Sequence, residues 1–358
     1  MVRVWELFCR VIDNFGDIGV CWRLACDLAE RGEQVRLWTD DASALRWMAP
    51  RSRSGVQVLP WLQSQVQVDC GDVVIEAFGC NPPDAFVARM KTRTIAPVWI
   101  NLEYLTAQAY ARQNHGLRSP QLSGPGAGLT KWFFHPGFVP GTGGLIAERD
   151  LESRQRRFDA PAWRAGKGFQ VNTGERSVSL FCYANAALPK LFDVLGEQPT
   201  LLLATPGAAT DQLHQWLGPT RSRGALRAIA LPWLSQTDFD HLLWSCDINF
   251  VRGEDSWVRA QWTDKPFVWQ PYVQGEMAHH AKLHAFLDLY LAQATPAVAR
   301  EIRALWACWN GLPGGPADLR PVLPDLVRWQ DHQRRWRDAL REQADMTTEL
   351  LRFVDHRR

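Results

Sequence analysis

Apolar positions recur along the chain with two alternating periods. Residues 2–11 are mostly apolar, interrupted by Arg3, Glu6 and Arg10, and read as a buried first strand. After a turn, Val20, Cys21, Leu24, Ala25 and Leu28 recur at helical spacing within 18–31. Gly32 stops that helix and 34–39 is apolar again, so a strand–helix–strand unit fits into about 40 residues. Short apolar runs bounded by turn residues follow at 73–77 and 94–100. From 116 to 175 the texture changes. Pro/Gly/Ser-rich stretches at 119–128 and 136–144 precede a charge run at 149–157, which reads as a solvated helix face. The region is expected to be long loops and a linker. A second series starts near 177, with strands at 177–183, 200–205, 225–230, 247–251 and 266–270. Helices are expected near 186–196, 211–217, 238–245, 256–262 and 277–291, and a helical tail rich in Arg and Trp over 325–354.

This alternation predicts an α/β protein with parallel sheets covered by helices. The 358 residues suggest two domains at about 150 residues each. The expected layout is two facing Rossmann-like domains, 1–160 and 165–325, with a ligand cleft between them and a C-terminal helix, 326–358, crossing back to the first.

Composition narrows the functional class. Forty Lys and Arg against 38 Asp and Glu leave a formal charge of +2, too balanced for binding nucleic acid through bulk charge. No apolar run approaches the roughly 18 residues a membrane helix needs, and the start has no signal-peptide core. Eight cysteines without a C-x-x-C pair point to free thiols in a reducing cytoplasm. Of eighteen tryptophans beside five tyrosines most must be core, but so many large rings leave some to line a cleft.

Two clusters carry the chemistry, each at a strand-to-helix turn, where open parallel sheets bind ligands. The first is Asp13-Asn14-Phe15-Gly16-Asp17-Ile18-Gly19. Gly16 and Gly19 permit a tight turn and close backbone approach. The spacing is not G-x-G-x-x-G, and paired carboxylates would repel a pyrophosphate, so the turn suits a cationic or hydroxylic group. The plainer readings are that Asp17 caps the helix and that Asp13 shapes the turn. The second is Arg252-Gly253-Glu254-Asp255-Ser256. There a helix start offers amides to an anion, and Glu254 and Asp255 suit sugar hydroxyls; an acidic capping box is the alternative. Between them Trp233, Gln236 and Phe239 share one loop region, and Phe181 and Tyr183 end a strand. A ring and an amide are what a nucleotide base needs, although such rings also make ordinary core. His280 and His284 have ligand spacing but no third partner in the sequence, so no metal is expected.

The runs D-N-F-G-D-I-G-V-C-W-R-L-A at 13–25 and R-G-E-D-S-W-V-R-A-Q-W at 252–262 resemble the EarP family, arginine rhamnosyltransferases that modify elongation factor P. L-P-W-L-S-Q-T-D-F-D at 231–240 and K-P-F-V-W-Q at 265–270 are similar to the same family. The resemblance spans residues 2–290 and implies a GT-B fold with the donor in the C-terminal domain. It also implies metal-free transfer of L-rhamnose from dTDP-β-L-rhamnose to one arginine of elongation factor P, with inversion. By position, Asp13 and Asp17 match the acidic pair, Asp17 as general base, and Glu254 the carboxylate near the donor. Asp255 and Ser256 match residues at the diphosphate and sugar, and Phe181, Tyr183, Trp233, Gln236 and Phe239 fall where the nucleotide is held. Arg252 and the helix start would steady the leaving group. Competing readings are a GT-B enzyme with a lipid or heptose acceptor, a dinucleotide-dependent oxidoreductase and a non-catalytic nucleotide-binding partner. The missing G-x-G-x-x-G speaks against the oxidoreductase.

Overall fold

A computed structural model describes residues 2–12, 15–66, 69–273, 278–315 and 325–357. The chain forms two compact units, residues 1–151 with 341–358, and residues 152–340.

The first unit is built on β1 (Val4–Cys9), β2 (Gln34–Thr39), β3 (Val56–Pro60), β4 (Val73–Ala77), β5 (Val98–Leu102), β6 (Arg118–Pro120) and β7 (Thr130–Phe134). The sheet order is β3-β2-β1-β4-β5-β7-β6, parallel except for the β6–β7 pair. β1 is almost wholly buried, as its apolar run requires. Glu6 in its middle is fully buried and accepts hydrogen bonds from Trp38 Nε1 (2.7 Å), Arg36 Nη1 (2.9 Å) and Gly71 N (2.8 Å). Burial pushes its carboxyl up, and those donors pull it partly back.

The stretch expected to be long loops contributes two strands. β7 pairs with β5 along Trp99↔Lys131 to Leu102↔Phe134 and extends the sheet. Its Lys131 reaches Glu76 of β4 at 2.5 Å and lies over the Trp99 ring. A buried ion pair thus holds a strand whose flanking Pro and Gly suggest a loop.

The second unit is built on β8 (Arg176–Leu180), β9 (Thr200–Ala204), β10 (Ser222–Arg223), β11 (Leu226–Ala230), β12 (Ile248–Arg252) and β13 (Phe267–Gln270). Its order is β10-β11-β9-β8-β12-β13, parallel except for β10–β11. Trp257 and Trp269 stack at 3.6 Å, and Trp306 packs on Phe267 and Phe286. The excess of tryptophan is therefore largely core.

The tail is two helices. Leu326–Arg341 buries Trp329, which donates from Nε1 to Tyr290 Oη at 3.0 Å, while Tyr290 donates to Gln333 Oε1 at 2.9 Å. Met346–Asp355 starts afresh, its N-cap Asp345 accepting from Thr348 N at 2.9 Å. It is tied to the first unit by Arg31–Asp345 (2.6 Å) and by Phe353 edge-on to Phe134 (5.4 Å).

Candidate active site

In each unit the strand order reverses beside the first strand. β1 lies between β2 and β4, and β8 between β9 and β12. At such a switch point the loops leaving two strands diverge and open a crevice at their carboxyl ends. Both motifs leave strands at these points.

In the first unit, Asp17 sits in the first turn of the helix Gly16–Glu30 and is 2% exposed. The helix cap is Phe15, which makes no side-chain cap bond; its ring lies edge-on to Trp47 at 5.1 Å. The Asp17 carboxylate instead takes the Ile12 N–H on Oδ2 (2.8 Å) and the Tyr104 hydroxyl on Oδ1 (3.2 Å). Gly19 donates its N–H to Phe15 O at 3.0 Å, closing the first turn of the helix. Tyr104 stacks on Phe78 with centroids 4.2 Å apart and planes 12° apart. Asp13 and Asn14 lie outside the described residues. Two residues before Ile12, Arg10 lies over Trp61, and both help line a cavity of about 390 Å³ with Asn81, Pro83 and Asp84.

In the second unit, β12 ends in Arg252 and the backbone turns at Gly253, whose φ of +62° is a left-handed conformation that other residues adopt only with strain. Trp269 Nε1 donates to Gly253 O at 2.7 Å and pins the turn. The Arg252 guanidinium lies 4.5 Å from the Phe181 ring centre and 4.3 Å from that of Tyr183. Phe239 meets Phe181 edge-on at 5.5 Å. Gln236, at the start of the helix Gln236–Ser245, donates from Nε2 to Asp255 Oδ2 at 3.2 Å. The structure therefore brings Phe181, Tyr183, Phe239 and Arg252 into one cluster and joins Gln236 to Asp255. Trp233 stands 48% exposed. Ser256 is 4% exposed; it accepts from Arg252 N at 3.0 Å and donates to Arg252 O, so its hydroxyl closes the turn. Glu254 is the cap residue of the helix Asp255–Gln261 and makes no side-chain cap bond. At seven residues this helix has a small dipole, so positive charge at this edge comes more from side chains.

A model of the EF-P rhamnosyltransferase EarP matches residues 5–355. The chain belongs to the EarP family. It is 41% identical to a protein-arginine rhamnosyltransferase of Pseudomonas aeruginosa over 98% of both chains. It is 43% identical to one of Pseudomonas putida over 99% of both. A solved structure described as the basis for EarP-mediated arginine glycosylation of translation elongation factor EF-P aligns over 99% of both chains, with a TM-score of 0.69 and 31% identity. The spinosyn rhamnosyltransferase SpnG aligns over 99% of this chain and all of its own with a TM-score of 0.53 and 13% identity, a likeness of fold. The protein is thus a glycosyltransferase with the GT-B fold.

Three residues packed against the candidate site carry no signal of their own in the sequence. Tyr104 lies 87 positions from Asp17 and carries no motif. Gln270 at the end of β13 accepts from Tyr183 N at 2.9 Å and fixes the Tyr183 backbone; it was visible only as the last letter of a similar run. Lys282 reaches over Trp257 from the helix Ala278–Tyr290. Burial pushes its ammonium down, and the charge of Glu254 pulls it partly back up. A lone lysine beside the conspicuous histidines His279, His280 and His284 gave no sign of this. Among the described residues no group of three His, Cys, Asp or Glu side chains is arranged to hold a metal ion.

Proposed function

We propose that the protein transfers L-rhamnose from dTDP-β-L-rhamnose to the guanidinium of one arginine of elongation factor P, inverting the anomeric centre. The observation that carries this reading is Asp17, a buried carboxylate with both oxygens hydrogen-bonded at the switch point of the first unit. The equivalent point of the second unit carries an arginine among aromatic rings. The named activity of the relatives and the solved EarP structure support it.

Chemistry explains why the acceptor turn is acidic. A guanidinium is cationic and delocalised, so its nitrogens are poor nucleophiles. Asp13 and Asp17 together localise that charge and aim one nitrogen. Phe15, Gly16 and Gly19 shape the turn, and with Asn14 they belong to the run that the acceptor approaches. As the nitrogen attacks the anomeric carbon, the N–C bond forms and the C–O bond to the nucleotide breaks. The nucleotide departs as dTDP with the bonding pair, and the nitrogen's proton passes to Asp17. One displacement converts the β-linked donor into an α-linked product.

The second unit holds the donor. Phe181, Phe239 and Trp233 offer faces to the thymine, and Gln236 offers an edge. Tyr183 and the Arg252 guanidinium flank the diphosphate, whose growing charge Arg252 and Lys282 offset without a metal. Glu254 and Asp255 take sugar and ribose hydroxyls, and Ser256 sets the turn whose amides meet phosphate. The eight free thiols fit a cytoplasmic setting. No nucleic acid or membrane takes part in this scheme.

The test is to incubate the purified chain with dTDP-rhamnose and elongation factor P and map the product by tandem mass spectrometry. One deoxyhexose on one arginine is expected. An unmodified factor, with the sugar appearing only as free rhamnose, would overturn the reading.

A further inference from the structure

We infer that Tyr104, standing on Phe78, is a positioning residue for Asp17. This rests on the reading of Asp17 as the base.

The geometry assembles it from three chain segments. β1 runs out toward Ile12, whose N–H holds Asp17 Oδ2 at 2.8 Å. β5 ends at Leu102, and two residues later the Tyr104 hydroxyl holds Asp17 Oδ1 at 3.2 Å. β4 ends at Ala77, and Phe78 adopts a φ of +58°, a left-handed backbone that is unusual for a bulky side chain. Its N–H donates to Leu102 O at 2.7 Å, which fixes that conformation against the end of β5. The Phe78 ring consequently lies parallel beneath Tyr104, 4.2 Å between centroids. Strained backbone that survives is held by its surroundings and clusters at functional sites. What this one achieves is a flat floor under the ring whose hydroxyl meets the base.

Each oxygen of the carboxylate thus meets a donor. The gain is placement, because a carboxylate free to rotate about its Cβ–Cγ bond spends less time aimed at the guanidinium proton. Reaction rates fall steeply with small displacements of the reacting groups. Tyr104 therefore acts on the chemical step and has no part in holding the donor.

The experiment compares steady-state kinetics of the full chain with Tyr104→Phe, Phe78→Asn and Asp17→Asn, varying dTDP-rhamnose and elongation factor P in turn. Tyr104→Phe keeps the ring and its stack and loses only the hydroxyl. It should lower kcat by about 10- to 100-fold, with both KM values within about twofold of the parent and a melting temperature lower by about 3–10 °C, the loss of one charge-assisted hydrogen bond. Phe78→Asn places a residue tolerant of left-handed backbone under an unsupported tyrosine; kcat should fall in the same direction by less. An unchanged kcat in Tyr104→Phe, or a loss confined to either KM, would overturn the inference while Asp17→Asn stays inactive. An active Asp17→Asn would instead overturn the base assignment, and this inference with it.

Discussion

Asp17→Asn separates chemistry from architecture more cleanly than any other change in the protein. The amide has the shape of the carboxylate and can satisfy both neighbours. Its Oδ1 accepts the Ile12 N–H, and its Nδ2 donates to the Tyr104 oxygen, which accepts as readily as it donates. Two charge-assisted hydrogen bonds become two neutral ones, each dropping from roughly 1.5–3 to roughly 0.5–1.5 kcal/mol. The expected loss of stability is about 1–3 kcal/mol, or a melting temperature lower by about 2–10 °C for a unit of this size. The rate should fall far more. Removing a general base costs about 10²- to 10⁴-fold, and the lost charge opposite the guanidinium adds to that. Affinity for dTDP-rhamnose should be nearly unchanged, because the donor is assigned to the other unit. Calorimetric titration with the donor, a turnover assay on elongation factor P and a thermal melt test all three numbers. A variant that keeps more than about a tenth of the parent kcat would refute the assignment of the base. A variant that loses donor binding while Glu254→Gln keeps it would show the two sites to be exchanged. Asp13→Asn should behave in the same direction.

Glu254→Gln should lower donor affinity by about tenfold or more, the worth of one charge-assisted hydrogen bond, and lower turnover as well; the same titration and assay decide it. A fragment 152–340 should bind dTDP, whereas 165–325 should not fold, because it discards Trp329, His332 and Gln333, all buried against the second unit; calorimetry and circular dichroism test both. Burial and the neighbouring His115 push the His135 imidazole from 6.5 down to about 4, so its neutral form is the one the fold accepts. The stability it contributes is intact above pH 6.5 and is lost as pH falls toward about 4, and melting temperatures of His135→Gln should decline less over that window than those of the parent. Turnover should persist in excess chelator, and loss of activity that magnesium restores would contradict the metal-free scheme.

The two sheets were legible because their central strands are apolar runs, and the two turns were legible because each joins such a run to a periodic helix. β7 was hidden, since Thr130–Phe134 carries a lysine in its middle and sits between Pro/Gly-rich stretches. Its Lys131 is neutralised by Glu76, a partner that only the folded sheet supplies. Arg252 was read as a cation for the leaving group, and its packing against Phe181 and Tyr183 depends on two strand ends meeting, those of β8 and β12. Tyr104 and Lys282 were invisible for the same reason: their chemistry lies in a long-range neighbour. The break in the tail at Asp345 was signalled locally by an Asp three residues before Thr348, although the Arg/Trp-rich composition on either side obscured it.

The division of the chain has a consequence for its synthesis. The second unit is an insertion, since residues 341–358 return to a first unit that otherwise ends at 151. A ribosome therefore completes all of residues 152–340 before it supplies the helix that covers Phe134 and answers Arg31. Domains generally fold as they emerge, but here the earlier-made half must wait, with apolar surface open, for the later-made half to be finished. A premature stop codon in the last helix would spare the second unit and leave the first unfinished. Nascent chains would be most exposed to chaperones and proteases during that interval.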